Sequence, residues 1–505
     1  MSDPPGETHS EPRTGPLRRR LASLLAGGRP RGDIIAAEVG QGAQWIAVGK
    51  NIIQIGTFVV PTLPVVALLA VTLAGLGLVG WRLVFPQRGP ATMQSSFNVA
   101  LAEFGGQDAS GKVGPSVEGA RLSQWVYQAF EAQKDQSPDL KSAVLIWHDS
   151  LPLSEKSATI GTVPGATPEE RSSAAALVAA RINADMVIYG NVDAAGRFAP
   201  EFYVAPRLNR GADIHGPFHL GDPIPVDFQA SLALNKQLTT RTLALFWLAM
   251  GLSYDRGGLP ADALAALRHA EALDAWQGPG QGKEVLYFFI GQAALFQNRD
   301  REAEAAFRQA LQLSPGYAGA LIGLGSVYFS RAQALQPPRL RLETADLQAA
   351  FDNYNRAIQA APASPDRAWA QYAAPLALGM AYRLQGDAYL DAGNLAAAGP
   401  AFESAIAGIK STLPAISQAK EYRLLGQAYL ALGTADAEEA DLRRRQGDPG
   451  QSRTLYQSAR QAYAGCIEQA KSAPLDQILT ETIVAGLCRP YDKTAADALA
   501  ALGSP

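Results

Sequence analysis

Metal-binding and redox-active side chains are scarce in this chain. Its 505 residues include five histidines, five methionines and two cysteines, Cys466 and Cys488, and neither cysteine belongs to a CxxC pair. Zinc-site spacing is therefore absent. Charge of one sign is lacking too: 44 Lys and Arg stand against 47 Asp and Glu, a net charge of −3, which leaves no whole-chain argument for nucleic-acid binding. Charged residues make up only 18% of the chain, while alanine and glycine abound. That composition suits closely packed helices better than a solvating disordered protein, and the length allows two or three domains.

Between Asn51 and Trp81 no side chain is charged. Its apolar heart, residues 57–81, has 25 residues; at about 1.5 Å rise per residue it can cross a hydrocarbon core of about 30 Å with some tilt. We expect a single transmembrane helix there, anchored at its far end by Trp81 and Arg82, with Pro61 and Pro64 in the first turns, where a missing N–H costs least. Fifty residues precede it, so it reads as an uncleaved anchor and not as a signal peptide. The first fifty residues hold seven Lys/Arg, including Arg18, Arg19 and Arg20. The expected orientation is a cytoplasmic N-terminus and extracytoplasmic C-terminal domains in the cell membrane. The tail, 1–50, is rich in Pro, Gly, Ser and Arg at its start and is expected to be disordered.

After a linker at 86–95 the pattern turns α/β over 96–226. SFNVALAEF and AVLIWHD read as buried strands; residues 114–133 and 167–184 have helical periodicity, with Leu122, Trp125, Val126 and Phe130 on one face. DMVIYGNVD and RFAPEFYVAPRL read as strands joined by a short turn. This order, with Ala184-Asp185-Met186-Val187-Ile188-Tyr189-Gly190 following a helix, resembles the small α/β domain at the amino end of TolB-like proteins. The resemblance implies an α/β fold that binds other proteins and carries no catalytic signature.

From about residue 238 to 505 the pattern is helical and repetitive. Gly251 and Tyr254 open one unit; Gly291, Phe307 and Pro315 recur at matching intervals in the next. With insertions admitted, three more units follow, carrying Gly325 and Tyr354, Gly386 and Phe402, and Gly426 and Tyr429, with a cap expected over 475–501. Small residues let antiparallel helices approach, bulky ones fill the gap between pairs, and proline ends the second helix. These positions resemble closely those of the tetratricopeptide (TPR) repeat. Fold class is accordingly a multidomain chain: a single-pass transmembrane helix, a small α/β domain and an all-α TPR solenoid.

Candidate chemistry is thin. His215 and His219 lie near Asp213 and Asp222, but on a stretch that reads as strand and turn, and no metal site is expected; His148-Asp149 reads as a hydrogen-bonded structural pair. Cys466 takes a small-residue packing position; outside the cytoplasm, a disulfide to Cys488 would clamp the cap to the array. No enzyme activity and no cofactor are expected. The leading function is a membrane-anchored scaffold whose partners are proteins or peptides held in the repeat groove; the insertions at 332–346 and 434–450 are candidate recognition loops, the second reading equally as a helix extension. The alternative is transmembrane signalling through the tail. Residues 31–56 alternate short apolar runs with Gly, Gln and Asn, and Ile53-Gln54-Ile55-Gly56 resembles the core of RHIM-type amyloid signalling motifs, which implies homo-assembly.

Overall fold

The computed structural model describes residues 52–55, 58–61 and 92–502, apart from 137–142, 153–157, 206–213, 277–281, 334–344, 365, 475 and 477. Two units are distinguished, Met1–Trp81 and Arg82–Pro505. In the first, β1 (Ile52–Ile55) pairs antiparallel with β2 (Phe58–Pro61), Ile52 opposite Pro61 and Ile55 opposite Phe58. This corrects the expected start of a helix at residue 57. Ile, Val and Phe favour the pleated strand. The remainder of the expected span, 62–81, and most of the tail lie outside the described residues. Among the described residues no helix is long and apolar enough to cross a membrane.

The second unit opens with a mixed sheet. Its strands are β3 (Phe97–Leu101), β4 (Gly105–Gln107), β5 (Val113–Pro115), β6 (Val144–Trp147), β7 (Met186–Val192), β8 (Arg197–Val204), β9 (Ile214–His219) and β10 (Ile224–Pro225). Parallel β3 lies between β6 and β7; β8 runs antiparallel to β7, and β9 and β10 both pair with β8. The crossovers between the parallel strands are α1 (Val117–Asp135) and α2 (Pro168–Ile182). Ser116 Oγ caps α1 by accepting from Gly119 N at 3.2 Å. Thr167 Oγ1 does the same for Glu170 N of α2, and Glu169 and Glu170 favour that helix's positive end.

Side-chain alternation sorts the strands between two cores. Phe97, Val99 and Leu101 of β3 join Met186 and Ile188 of β7 and Leu122, Val126 and Phe130 of α1. Ala100, Val187 and Tyr189 point the other way, to Ala175, Ala179 and Ile182 of α2.

Five antiparallel helix pairs follow. They are α3 (Lys236–Arg256) with α4 (Pro260–Ala272), α5 (Lys283–Leu295) with α6 (Asp300–Leu313), and α7 (Ala318–Gln333) with α8 (Ala345–Ala360). Longer helices complete the array: α9 (Arg367–Asp391) with α10 (Leu395–Gln418), and α11 (Tyr422–Arg445) with α12 (Pro449–Ser472). A wide π-type stretch, Ile478–Cys488, leads into α13 (Arg489–Ala501).

Of the two readings of 434–450, the helix extension holds: α11 continues through Arg445, because Ala, Leu, Glu and Arg keep a helical face going there. The other candidate loop, 332–346, lies largely outside the described residues. The sheet and the first helices of the array share a core. One apolar cluster runs from Phe97 through Phe246 to Val327, and Phe130 of α1 meets Phe246 of α3 edge-to-face, centroids 5.5 Å apart. Asp185, buried at the start of β7, accepts from Asn98 N at 2.8 Å and pairs with Arg256 of α3. The Ala-Asp step that resembles the TolB-like pattern is therefore the bolt between sheet and array.

Candidate functional site

Small-against-large contacts hold each helix pair. A Cβ added at Gly251 would fall 2.6 Å from Leu267, at Gly291 2.7 Å from Phe307, at Gly325 2.6 Å from Tyr354 and at Gly386 2.7 Å from Phe402. Tyr254 is half-buried beside this core, and Pro315 follows the end of α6. In the last pair the register differs from the sequence expectation. Gly426 packs on Leu479 of the π-type stretch, Gly433 takes the close approach to Tyr463, and Tyr429 packs on Gly465. Two glycines seven residues apart share one helix face, so spacing alone could not choose between them.

The first helices of the last three pairs line a groove. From α9 come Trp369, Ala373, Leu376, Met380 and Arg383; from α11, Leu424, Gln427, Ala431, Thr434 and Glu438. Both sets step by alternating threes and fours, the signature of one helix face. Ile322 of α7 adds to one wall, and Leu487 and Tyr491 of the cap close another around a cavity of about 490 Å³. A second cavity of about 580 Å³, between α11, α12 and α13, shares Thr434, Glu438 and Tyr491 with it. These lining residues were not singled out from the sequence; the three-four spacing in 369–383 was the available signal.

Glu438 and Arg383 are the charged residues of this groove, whose wall also carries Gln427 and Thr434. One carboxylate oxygen accepts from Arg383 Nη1 at 2.5 Å, while Oε2 is buried with no hydrogen-bond partner. Burial, opposed by Arg383, pushes its carboxyl up to about 8. Burial also raises Asp387, one turn beyond Arg383 on α9. Asp441, on the other side, is occupied by Arg444 at 2.6 Å and by the Tyr456 hydroxyl at 2.9 Å.

The cap that closes the groove is covalently fixed. Cys466 of α12 and Cys488 at the end of the π-type stretch form a disulfide, with Cα atoms 6.4 Å apart and both residues fully buried. Leu487, which lines the groove, is the neighbour of Cys488.

The α/β layer holds a smaller cavity of about 320 Å³ beside a buried ion pair. Arg171 of α2 donates to Glu201 of β8 through Nε at 2.9 Å and Nη2 at 2.7 Å. Each satisfies the other, and burial still holds the Glu201 carboxyl above the ordinary range. His148 sits between two serines, Nε2 3.1 Å from Ser123 Oγ and Nδ1 2.8 Å from Ser150 Oγ. Asp149 turns away to accept from Ile160 N and Gly161 N, at 2.9 and 2.7 Å. That arrangement ties His148 and Asp149 into the surrounding loops. Among the described residues no three His, Cys, Asp or Glu side chains are grouped to hold a metal. His219 Nδ1 lies 3.2 Å from Gly221 O, at the end of β9. Of the tail motif, Ile53, Gln54 and Ile55 stand in β1, paired within the chain; Gly56 is outside the described residues.

Residues 285–317, which span α5 and α6, match the model of the tetratricopeptide repeat. Among solved structures, TTC0263, a thermophilic TPR protein of Thermus thermophilus, is similar at 18% identity over 50% of this chain and 98% of that one, with a TM-score of 0.34. PilW, a type IV pilus biogenesis factor, is similar at 18% identity over 51% and 98%, TM-score 0.29. MamA from Desulfovibrio magneticus RS-1 gives 17% identity over 45% and 96%, TM-score 0.25. The chain matches no curated protein. The second unit thus joins a small α/β layer to a TPR-type array that includes a matched tetratricopeptide repeat at 285–317.

Proposed function

We propose that this protein is a non-catalytic, membrane-anchored scaffold that holds a protein or peptide partner in the groove between α7, α9, α11 and the cap. The observation that carries it is the groove itself: apolar faces of successive first helices converge on one cavity, the mode by which a groove takes up an apolar segment. Anchoring rests on residues 62–81, twenty uncharged residues after β2, about the length needed to span a bilayer. The disulfide suits an oxidising compartment. Together with the arginine-rich tail it favours a cytoplasmic N-terminus and extracytoplasmic repeats.

The test is a photo-reactive amino acid placed at Met380 in the groove, or at exposed Glu403 on the far helix α10, in the full chain in its membrane. A discrete adduct at Met380 that Leu376→Asp abolishes, with none at Glu403, is the expected result. Equal labelling at both positions refutes the groove reading. A second reading, tail self-assembly through Ile53-Gln54-Ile55-Gly56, draws on the strand conformation of Ile52–Ile55. A peptide of residues 31–56 that stays monomeric at high concentration refutes it.

A further inference from the structure

The outer face of α2 is complementary to itself. The helix turns Arg171, Ser172, Ala175, Ala179 and Ile182 inward. On the opposite side Glu170, Ala174, Leu177 and Arg181 follow one another at intervals of four, three and four residues, which sets them along one stripe. Leu177, in the middle, is 73% exposed, and the outward residues between Glu170 and Arg181 are all uncharged. A helix that faces only water ordinarily carries charge there. Glu170 and Arg181 are both exposed. Among the described residues neither has an ion-pair partner: Glu170 Oε2 accepts from Ala166 N at 2.8 Å, and Arg181 Nη2 donates to the Thr159 and Ile160 carbonyls at 3.1 and 3.2 Å.

A spacing of four, three and four reads the same in both directions. Two copies of α2, antiparallel about a two-fold axis between Ala175 and Ala176, set Glu170 of each opposite Arg181 of the other, and Leu177 opposite Ala174. In a two-fold interface residue i meets j and j meets i. That exchange pairs unlike charges at both ends and a large side chain with a small one on either side of the axis. A parallel arrangement would put Glu170 against Glu170. We infer that two copies of this protein pair through antiparallel α2 helices. The pairing is independent of the groove. One helix face is smaller than the roughly 800 Å² per partner of a stable interface, so the pair is weak and forms where copies are concentrated. That setting, two chains in one membrane, rests on the anchoring reading.

The experiment uses full chains carrying Ser173→Cys, an exposed position beside the stripe, reconstituted in liposomes and treated with a short bis-maleimide. A cross-linked dimer is expected, with none from Val117→Cys, 84% exposed on α1. Glu170→Arg alone and Arg181→Glu alone should each lower the yield about tenfold, since each turns two attractive contacts into two repulsive ones. Mixing the two variants, told apart by tags, should restore it, because unlike charges again meet at both ends. Leu177→Ala should lower the yield with the charges untouched. Yields equal to that of Val117→Cys overturn the inference, as do yields that both charge reversals leave unchanged, the result expected of association through the tail. A mixture no better than its components, with both folded by circular dichroism, also overturns it. If a reversal unfolds the chain, Leu177→Ala decides, and an unchanged yield sinks the pairing. Chains that do not float with the liposomes refute anchoring alone, and the same cross-linking is then read in concentrated solution.

Discussion

Phe307 is caught between two glycines, and that geometry predicts a mutation whose sign depends on its background. The ring, fully buried on α6, lies against Gly291 of its own pair and Gly323 of the next. A Cβ at Gly291 would fall 2.7 Å from the ring, and one at Gly323 closer still. The ring cannot retreat from one glycine without pressing on the other, and Phe288 stands beside it with centroids 6.2 Å apart. Gly323→Ala should therefore overpack the site and destabilise the array, by about 1–3 kcal/mol. Phe307→Ala alone should cost about 3–5 kcal/mol, through lost burial and the cavity left behind. Once that ring is gone the space beside Gly323 is empty, and alanine's better helix propensity should make Gly323→Ala stabilising by up to about 1 kcal/mol. The cycle then shows a coupling of about 1–4 kcal/mol between positions 307 and 323. Because a repeat array opens by neighbouring units, hydrogen exchange of the α5–α7 amides is the local readout, with urea denaturation as the global one. If Gly323→Ala has the same sign in both backgrounds, Phe307 is not the wedge between the second and third pairs.

Three further outcomes follow from the geometry. The Cys466–Cys488 bridge closes a sequence separation of 22, so Cys466→Ala/Cys488→Ala should cost about 3 kcal/mol by the chain-entropy relation; calorimetry with and without dithiothreitol should show the melting temperature of the unaltered protein, but not of the variant, falling on reduction. Burial lifts Glu438 from the ordinary 4.5 to about 8, facing Arg383 and Asp387 of α9, Asp441 of its own helix and Tyr463 of α12. The folded state thus holds that proton more tightly than the unfolded chain, and the stability it contributes is complete below about 4.5 and lost as pH rises through about 8. Thermal melts of Glu438→Gln should show a shallower decline over that window, and an unchanged decline refutes the assignment. Finally, a chain cut to begin at residue 236 loses the sheet that covers Leu238, Leu245 and Phe246 of α3. It should aggregate or melt below a chain beginning at residue 82, as light scattering and circular dichroism would show.

Much of this architecture is legible in the residues. Strand and helix alternation over 96–226, five repeat units after it, and glycine-to-aromatic spacing in the second and fourth units all have local causes, and local causes leave periodic traces. Tertiary choices leave none. The fifth unit offers Gly426 and Gly433 on one helix face, and only the position of the π-type stretch decides that Leu479 takes the first and Tyr463 the second. Glu438 reads as an ordinary member of a charged run, DAEEADLRRR; its place in an apolar groove depends on how α9, α11 and α13 meet. The strand at Phe58–Pro61 shows the opposite error, in which a long apolar run masked a local β-preference.

The join between sheet and array also explains where the groove lies. A solenoid must cover the exposed face of each terminal repeat. At the amino end the sheet does this: Phe97, Phe130 and Val226 share one core with Phe246 and Leu248 of α3, and Arg256 pairs with Asp185. That end is consumed by packing. At the carboxyl end the cover is the π-type stretch and α13, narrower than the pair they follow and tied back at Cys466. A narrow cover leaves the inner faces of α9 and α11 only partly occupied, with Leu487 and Tyr491 as a wall and not a lid. The disulfide then does more than add stability, because it fixes the distance between that wall and Glu438. Reduction should loosen the groove before it loosens the sheet, so binding and global stability should part company under mild reductant.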